Sequence, residues 1–528
     1  MSKQNNLTDF LTDVANAIRA KKGSTDLINP QNFSAEIAAL SGGLEVIEMT
    51  ETTATIEPNK VYVWGMVESL DITLGASTDE NDFFAFRFRC SKPTMTSLTV
   101  NGATWAEDTE LDAQGKPVLD LGSWYQCEIK GGISALYARL AHYIHLADSK
   151  VEAVLLANGV GDGLGVTYKD AAEVNSISTW FEGNTDITSF NELKEFIGVT
   201  TILSRAFYGA TNLQSIDLTN ITTFTNGANF KNASSLNIVL NLPNLTGVIP
   251  NGAFENTAIS GIENLGSVTE IQGSGDVYAG GWGNYAAFRK CTNLKYANLP
   301  STLTTIQYAA FAGCSQLTEI SFGDKSSITS IGIGAFCDVP ISFDVDFPNL
   351  TGTLGYAAFQ NTKIKKVLNL GSISIIGGVG DSYGPYGGYG AWGAFKNCKE
   401  LTDVTLPPSL TTIQPQAFYD CSALASVNFP SSLTTINGDA FYGCSSLAEI
   451  TLPASLTSIG SNTFGGCTSL QYIRIEATTP PTLASTNAIP STIGAIYVPD
   501  ESVAAYQAAT NWSSFASKIK GISEMPAE

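Results

Sequence analysis

The sequence predicts a mixed, mainly β protein in which a solenoid of about 12 coils, each of 23 residues, follows a short helical N-terminus and a β-sandwich. Three observations support this fold class. Blocks of 23 residues repeat in register near the C-terminus, one Phe recurs along more than half of the chain, and 528 residues exceed what a single hydrophobic core usually serves. Several domains are therefore expected, the largest of which is a repeat array.

The repeat is clearest in three consecutive blocks that align without gaps, at residues 410–432, 433–455 and 456–478. Apolar residues within one block are spaced by two to five positions, which fits neither a single strand nor a single helix. They fit a coil whose inward side chains pack on neighbouring coils. Within the second block, the segment 447–452 predicts a short strand.

One Phe position, here called the ruler Phe, marks every coil. It occurs at residues 181, 207, 230, 254, 288, 311, 336, 359, 395, 418, 441 and 464. Most intervals are 23 to 26 residues, but the intervals after Phe254 and Phe359 are 34 and 36, so these coils carry insertions. Residues 247–314 and 352–421 are near-copies, and a GxGD motif at 159–162 opens a fainter third copy. The array is therefore predicted to contain three sets of four coils, each with one Gly-rich loop.

These units resemble BspA-type leucine-rich repeats, whose pattern is similar to LTSIxxxAFxxCxSLxxIxLP, over roughly residues 175–480. The ending IGAIYVPDESVAAYQAATNWSSFASKIKGI resembles the cap of such arrays, a last strand followed by an amphipathic helix. We assign a solenoid to residues 149–478 and a C-terminal cap to 479–528. The family resemblance implies extracellular recognition or adhesion.

Two segments precede the array. Residues 1–43 predict two short helices, which would serve either as a helical cap on the next domain or as a docking or oligomerisation element. Residues 44–148 contain alternating segments such as KVYVWGMV and FFAFRFRC, which predict a β-sandwich. Within them, ANAIRAKKGSTDLINPQNFSAEI and EPNKVYVWGMVESLDITLG with the later TWAED resemble segments at the front of bacteriophage tail-fibre and host-attachment proteins. That resemblance implies a virion protein that joins other tail proteins through its N-terminus and forms a homo-oligomer, commonly a trimer.

Charge narrows the choice of partners. With 28 basic and 49 acidic residues the net charge is −21, which repels phosphate backbones and anionic lipid head groups. Nucleic acid and membrane insertion are therefore not expected. The beginning MSKQNNLTDF lacks the pattern of a secretory signal, so we expect synthesis in the host cytoplasm.

The sequence singles out no catalytic apparatus and implies no cofactor. His142 and His145 are the two histidines, too few for a three-His zinc site, and we assign them a structural role. Six cysteines lie three residues after a ruler Phe, where other coils have Ala, Val, Thr or Asn, which predicts packed thiols in a small buried position: Cys291, Cys314, Cys398, Cys421, Cys444 and Cys467. We predict that the protein is not an enzyme.

The Gly-rich insertions at 273–286 and 377–393 carry the candidate ligand-binding residues. Aromatic rings on an adaptable Gly backbone suit the binding of sugars or protein surfaces, because few torsions have to be frozen. The alternative is a loop whose rings pack down on the solenoid. The candidates are Tyr278, Trp282, Tyr285, Tyr383, Tyr386, Tyr389 and Trp392.

The three GxGD motifs offer weak candidates for calcium ligands, Asp162, Asp276 and Asp381. A hard cation needs six to eight oxygen ligands, whereas each motif fixes one carboxylate. An Asp that caps a Gly turn is the favoured alternative, so no metal is assigned.

These patterns together predict a phage tail fibre or receptor-binding protein, located in the virion and acting at the bacterial cell surface. It would recognise a surface glycan or protein without catalysis. The alternatives are a structural component of the tail or baseplate, a bacterial cell-surface leucine-rich adhesin, and a depolymerase that uses two carboxylates.

Overall fold

A computed structural model describes residues 45–526, apart from 68, 77–81, 91–96, 102–103, 106–116, 118, 120–123, 131–132, 139–143, 162–164, 276–284 and 384–388. The helices predicted for residues 1–43 lie outside this part of the chain. Residues up to His145, with 155–175 and 195–198, form one compact unit. The remaining residues, which include 199–528, form the second.

Nine strands lie in the described part of the first unit. Their bounds are β1 Glu45–Met49, β2 Thr53–Ile56, β3 Lys60–Val67, β4 Ser69–Leu74, β5 Phe83–Cys90, β6 Ser97–Asn101, β7 Thr104–Trp105, β8 Trp124–Lys130 and β9 Ile133–Ala138. The strand order is β1-β3-β5-β8-β9-β7 in one sheet and β2-β4-β6 in the other. Successive strands from β1 to β6 thus alternate between two sheets and pair in parallel within each.

Alternation of apolar residues explains these strands. In β5 the buried side chains Phe84, Phe86 and Phe88 occupy every second position, as a pleated strand requires. They belong to one buried cluster with Trp64 of β3 and Ile72 of β4, so both sheets share a core. The segments predicted as strands at KVYVWGMV and FFAFRFRC coincide with β3 and β5. The sandwich class itself stays a prediction, because the described sheets are built largely from parallel pairs.

Three α-helices are described: α1 Ser149–Ala157, α2 Tyr168–Glu173 and α3 Val503–Ala508. None of the helices in these parts of the chain has the length and apolar character needed to cross a bilayer. Short 3-10 helices occur at Asn191–Glu195, Lys325–Ser327, Thr486–Ala488, Asp500–Ser502, Trp512–Lys518 and Ile522–Glu524.

Most solenoid coils contribute two short strands, which stack into two parallel ladders; the coil after Phe418 joins the first ladder only through isolated bridges at Asn428. The first ladder contains β10 Ser189–Phe190, β12 Ser215–Ile216, β14 Val239–Asn241, β16 Gly261–Asn264, β20 Tyr296–Leu299, β22 Glu319–Phe322, β24 Val345–Asp346, β26 Lys366–Asn369, β30 Asp403–Val404, β33 Glu449–Leu452, β35 Tyr472–Ile475, β37 Ala495–Val498 and β38 Ile519–Gly521. The second contains β11 Thr201–Ile202, β13 Thr223–Phe224, β15 Thr246–Ile249, β17 Ser267–Ile271, β21 Thr305–Ile306, β23 Ser330–Ile331, β25 Thr351–Leu354, β27 Ser372–Ile376, β31 Thr412–Ile413, β32 Thr435–Ile436, β34 Ser458–Ile459 and β36 Thr482–Leu483.

The ruler Phe residues form one continuous stack along the array. All twelve are fully buried. Neighbouring ring centroids are 4.9 to 5.7 Å apart, and the rings lie within 15° of parallel. The twelve predicted coils are therefore confirmed, and the fold is a mainly β solenoid of stacked coils.

The six cysteines in register with the ruler Phe are buried beside this stack, as predicted. Each thiol donates to the carbonyl of the ruler Phe in the preceding coil, for example Cys314 Sγ to Phe288 O at 3.1 Å and Cys421 Sγ to Phe395 O at 3.1 Å. Burial raises the pKa of the Cys398 thiol to about 12. The Cys398 thiol therefore stays protonated at neutral pH, and each of the six thiols satisfies a buried backbone carbonyl.

A left-handed backbone conformation recurs two residues after every ruler Phe. The residues there are Gly183, Gly209, Asn232, Asn256, Lys290, Gly313, Asp338, Asn361, Asn397, Asp420, Gly443 and Gly466, with φ from 55° to 76°. Gly, Asn and Asp tolerate this region better than other residues, which explains their recurrence. Some of the side chains also bond between coils, as Asn397 Nδ2 does to Asn361 Oδ1 at 2.8 Å.

Lys290 is the exception in this column, and it is exposed. We expect Lys290→Asn to raise the free energy of unfolding by about 0.5–1 kcal/mol, because a long side chain is replaced by one that tolerates φ near 59°. Urea denaturation followed by intrinsic fluorescence measures the effect. The reverse exchange, Asn361→Lys, should lower stability; equal stability of both variants and the original chain would contradict this account of the column.

At the C-terminal end of the array, strand β37 is followed by the helix α3, but β37 is not the last strand, because β38 follows the helix and extends the ladder. Strand β37 pairs in parallel with β35, and β38 pairs in parallel with β37. Helix α3 packs beside β38. Trp512 is fully buried, donates from Nε1 to Pro481 O at 2.8 Å, and contacts Tyr506 edge to face. The C-terminal segment therefore has a second buried aromatic core of its own.

Candidate recognition surface

The two predicted insertions are β-hairpins that leave the solenoid at equivalent places. In the first, β18 Gly273–Ser274 pairs with β19 Tyr285–Ala286 in antiparallel register. In the second, β28 Gly378–Tyr383 pairs with β29 Tyr389–Gly393, and Tyr383 is opposite Tyr389. Each hairpin ends two residues before a ruler Phe.

Matching side chains hold both arms of each hairpin. On the incoming arm, Gln307 Oε1 accepts from Gly273 N at 3.2 Å, and Gln414 Oε1 accepts from Gly378 N at 3.0 Å in the second hairpin. Both glutamines lie four residues before a ruler Phe. Because the same bond recurs in two separate copies, the hairpin bases are positioned features of the scaffold.

The outgoing arms are held by the residue after the ruler Phe of the preceding coil. Glu255 Oε2 accepts from Ala286 N at 3.4 Å, and Gln360 Oε1 accepts from Gly393 N at 3.4 Å. Both acceptor side chains are buried. The hairpins are therefore fixed at both arms by polar groups that sit inside the coil surface.

A column of apolar side chains runs between the two hairpins. The residue three positions before the ruler Phe is Tyr285, Tyr308, Ile333, Tyr356 and Trp392 in five successive coils, and each of these is half-buried. We call these five residues the aromatic column. Its two ends belong to the hairpins themselves, so the column and the hairpins form one surface.

Small residues beneath the aromatic column allow its rings to pack close to the solenoid. Tyr308, Tyr356 and Trp392 pack against a buried cluster of Ala286, Ala309, Ala312, Cys337 and Ala357. The strand before the first hairpin tip also lies against Tyr308, because a Cβ at Gly275 would collide with that ring. Burial, followed by the neighbouring Tyr356, raises the pKa of Tyr308 to about 12, so its hydroxyl is neutral at physiological pH.

The two hairpin bases differ in charge. At the first, Glu255 forms ion pairs with Lys231 at 3.0 Å and Arg289 at 3.2 Å, and the Lys231 ammonium lies 3.7 Å from the centroid of the Tyr285 ring. Desolvation by burial lowers the pKa of Lys231 despite the neighbouring Glu255 carboxylate. At the second, the residue equivalent to Glu255 is the neutral Gln360. There the Lys396 ammonium donates to Ala391 O of the hairpin at 2.9 Å, so the second base has a cation and a neutral amide where the first has an ion-paired carboxylate.

The structure describes only part of the predicted ligand-binding set. Tyr285 and Trp392 are brought together with the aromatic column. Tyr383 and Tyr389 are placed by backbone only, as opposite residues of the second hairpin. Tyr278, Trp282 and Tyr386 lie outside the described residues, and for them the assignment stays a prediction.

The structure describes no side chain of the three candidate calcium ligands. Asp162 and Asp276 lie outside the described part of the chain, and Asp381 is placed by backbone only, within β28. Among the described residues, no three His, Cys, Asp or Glu side chains converge as metal ligands would. His145 is exposed, and His142 is not described.

Sequence reasoning missed Tyr308 and Tyr356. Both lie in YAAF segments outside the Gly-rich insertions, three residues before a ruler Phe. The signal was present in the register of the repeat, since Tyr285 and Trp392 occupy the same position. Comparing that position across all coils would have found the column.

Comparison with known proteins identifies the repeat. A family profile described as "BspA type Leucine rich repeat region" matches six copies, at residues 172–275, 284–378 and 392–487, which together exceed half of the chain. A search of curated proteins found no match.

Several solved structures are similar. A leucine-rich repeat protein from Bacteroides ovatus is 21% identical over 57% of this chain and 81% of its own, with a TM-score of 0.36. A leucine rich cell surface protein from Faecalibacterium prausnitzii is 18% identical over 70% and 95%, with a TM-score of 0.29. The pneumococcal vaccine antigen PcpA is 17% identical over 61% and 76%, with a TM-score of 0.26. With scores this low, the structures carry no argument about function.

Proposed function

Because the chain belongs to the BspA-type leucine-rich repeat family, we propose that it is a recognition protein that attaches to a bacterial surface receptor, a glycan or a protein, without catalysis. The contact surface in this proposal is the aromatic column with the two hairpins that border it. The protein acts by non-covalent binding, and repeated sites along one solenoid give avidity when the chain is oligomeric.

The observation that carries this proposal is the aromatic column itself. Half-buried Tyr and Trp side chains on rigid backbone give a ligand a large contact area at small entropic cost. The hairpin bases add fixed polar groups and, at the first hairpin, the ion-paired cluster around Glu255. Such a mixture of aromatic anchors and positioned polar groups is typical of binding surfaces.

The test compares binding to bacterial cells before and after the surface is altered. The labelled protein is incubated with a panel of strains, beside a variant in which 275–284 and 379–391 are replaced by short Gly-Ser links, and beside Tyr356→Ala. We expect the shortened variant to lose binding to strains that the original binds, and Tyr356→Ala to weaken binding about tenfold, as loss of a central aromatic anchor does.

The matched control is Tyr472→Ala, which removes a Tyr from strand β35 of the first ladder and should leave cell binding unchanged. Circular dichroism confirms that each variant keeps its fold. Binding that survives both hairpin replacement and Tyr356→Ala would move the contact to another surface of the chain, and failure to bind any strain would contradict the proposal.

We further propose that this recognition serves a phage particle, as a tail-fibre component located in the virion that joins other tail proteins through its N-terminus and is a homo-oligomer. The support is the resemblance of residues 1–145 to phage attachment proteins. A bacterial cell-surface adhesin is the second candidate, and the repeat family favours it equally. Immunogold labelling separates them, because a tail fibre is detected on intact particles and an adhesin on the cells that make it.

A further inference from the structure

The first ladder is interrupted between β22 and β24, in the middle of the array. Strand β22 is the last of the sheet β14-β16-β20-β22, and the next coil begins a new sheet with β24. The cause is a longer coil: three residues separate the buried Ile341 from Val345, where the coil before has two between Leu317 and Ile320. The additional residue displaces the backbone, so the two strands do not pair.

A cleft of about 590 Å³ opens beside this interruption. Phe343, which lies within the longer segment, forms one wall and packs edge to face on Phe322 with ring centroids 5.4 Å apart. Tyr296 forms the opposite wall. Polar side chains line the space between them: Asn298, Glu319, Ser321 and Ser342.

The ring of Tyr296 lies flat on the sheet. It covers Gly261 of the preceding coil so closely that a Cβ at that position would collide with it. The ring of Tyr296 therefore packs on the backbone of Gly261, and the half-buried side chain also lines the cleft. Ser321 Oγ donates to Asn298 Oδ1 at 2.8 Å, which fixes that amide at the floor.

Two comparisons within the chain indicate that these residues are not required by the fold. The first ladder is also interrupted four coils earlier, between β12 and β14, where Ser189, Ser215 and Ile238 occupy the positions of Tyr296, Glu319 and Phe343. In the second comparison, Tyr472 lies at the same coil position as Tyr296, but its hydroxyl donates to the carboxylate of Glu449 in the preceding coil.

We propose that this cleft binds a neutral sugar residue of a glycan, with the pyranose ring stacked on Tyr296 and its hydroxyls bonded to Asn298, Glu319 and Ser321. An aromatic platform bordered by hydroxyl, amide and carboxylate groups matches the alternating apolar faces and hydroxyls of a sugar. The Glu319 carboxylate and the net charge of −21 disfavour acidic sugars and phosphates. This site is separate from the hairpin surface and does not depend on the proposed function.

The test is titration calorimetry of the whole chain with four probes: maltotetraose, mannotetraose and chitotetraose as neutral sugars, and a hyaluronan tetrasaccharide as the acidic one. We expect at least one neutral probe to bind and the acidic probe not to bind. Tyr296→Ala should weaken the binding about tenfold, in keeping with the loss of one stacking contact. Glu319→Gln replaces an exposed carboxylate by an amide of the same shape, and it should weaken sugar binding several-fold.

Two further variants test the geometry. Gly261→Ala keeps Tyr296 but lifts its ring from the sheet, and should lower affinity as Tyr296→Ala does. Tyr472→Ala is the matched control and should leave affinity unchanged. Absence of binding to all three neutral probes, preference for the acidic probe, or equal affinity in Tyr296→Ala would overturn the proposal. The hairpin-shortened variant should keep sugar affinity even if it loses cell binding, so the two proposals fail separately.

Discussion

Phe311→Ala is expected to lower the free energy of unfolding by about 3–5 kcal/mol, as truncation of a fully buried Phe does. Its ring lies between those of Phe288 and Phe336, with centroids 5.2 and 5.6 Å away. The neighbouring coils cannot close the cavity, because backbone bonds such as Phe311 N to Ala335 O at 2.9 Å fix their spacing. The lost contacts are therefore not recovered by relaxation.

Urea denaturation and amide hydrogen exchange together measure this effect. In a repeat array each coil contacts only its neighbours, so exchange should accelerate most in the coils beside residue 311. The control is Phe429→Ala, which removes a half-buried ring that touches Phe441 edge to face. It should lower the free energy of unfolding by less than half as much as Phe311→Ala does. A loss below about 1.5 kcal/mol for Phe311→Ala would show that the stack tolerates a gap, against the usual behaviour of packed cores.

Trp512→Ala is expected to have an effect of similar size, about 3–5 kcal/mol, because it empties the core of the cap and leaves the carbonyl of Pro481 without its indole donor. The cap strand β38 also covers the edge of the first ladder. If the cap loosens, that edge becomes available for pairing with another chain. We therefore expect both a lower unfolding midpoint and concentration-dependent self-association by light scattering.

Tyr506→Phe removes a hydrogen bond from the cap but keeps its apolar packing, so it measures the contribution of that bond to stability. The Tyr506 hydroxyl donates to Ala477 O at 2.7 Å, and burial raises its pKa far above the ordinary value. Removing the hydroxyl should lower the free energy of unfolding by about 1–2 kcal/mol, and the edge of the first ladder should stay covered. If Trp512→Ala were no more damaging than Tyr506→Phe, the cap would not act as a packed core.

Much of the solenoid could be predicted from the sequence, because its determinants repeat. A fully buried position at constant spacing, such as that of Phe418 and Phe441, reveals itself by recurrence alone. The small position three residues later restricts the choice to Cys, Ala, Val, Thr or Asn, so packed thiols could be inferred without coordinates. Strands β3 and β5 were predictable for a different reason, the alternation of large apolar side chains.

The surface features could not be predicted in the same way, because they depend on contacts between distant coils. Nothing local marks Gln414 as the residue that holds Gly378, 36 positions earlier. The cleft beside Tyr296 arises from one additional residue two coils later, which changes strand pairing and no local propensity. Both features become visible only when the coils are stacked.

Four coil side chains accept hydrogen bonds from the hairpins, and they show which residues the hairpins need and which are free to differ: Gln307, Glu255, Gln414 and Gln360. All of them belong to the coils, and they bind backbone N–H groups, so they impose no demand on hairpin side chains. The segments between the held positions differ after a shared Gly-Asp pair, as SGDVYAGGWGNY and VGDSYGPYGGYGAW show. Because these contacts use only backbone groups of the hairpins, the hairpin side chains are able to change while the scaffold is kept, and grafting one tip onto the other base should give a folded chimera.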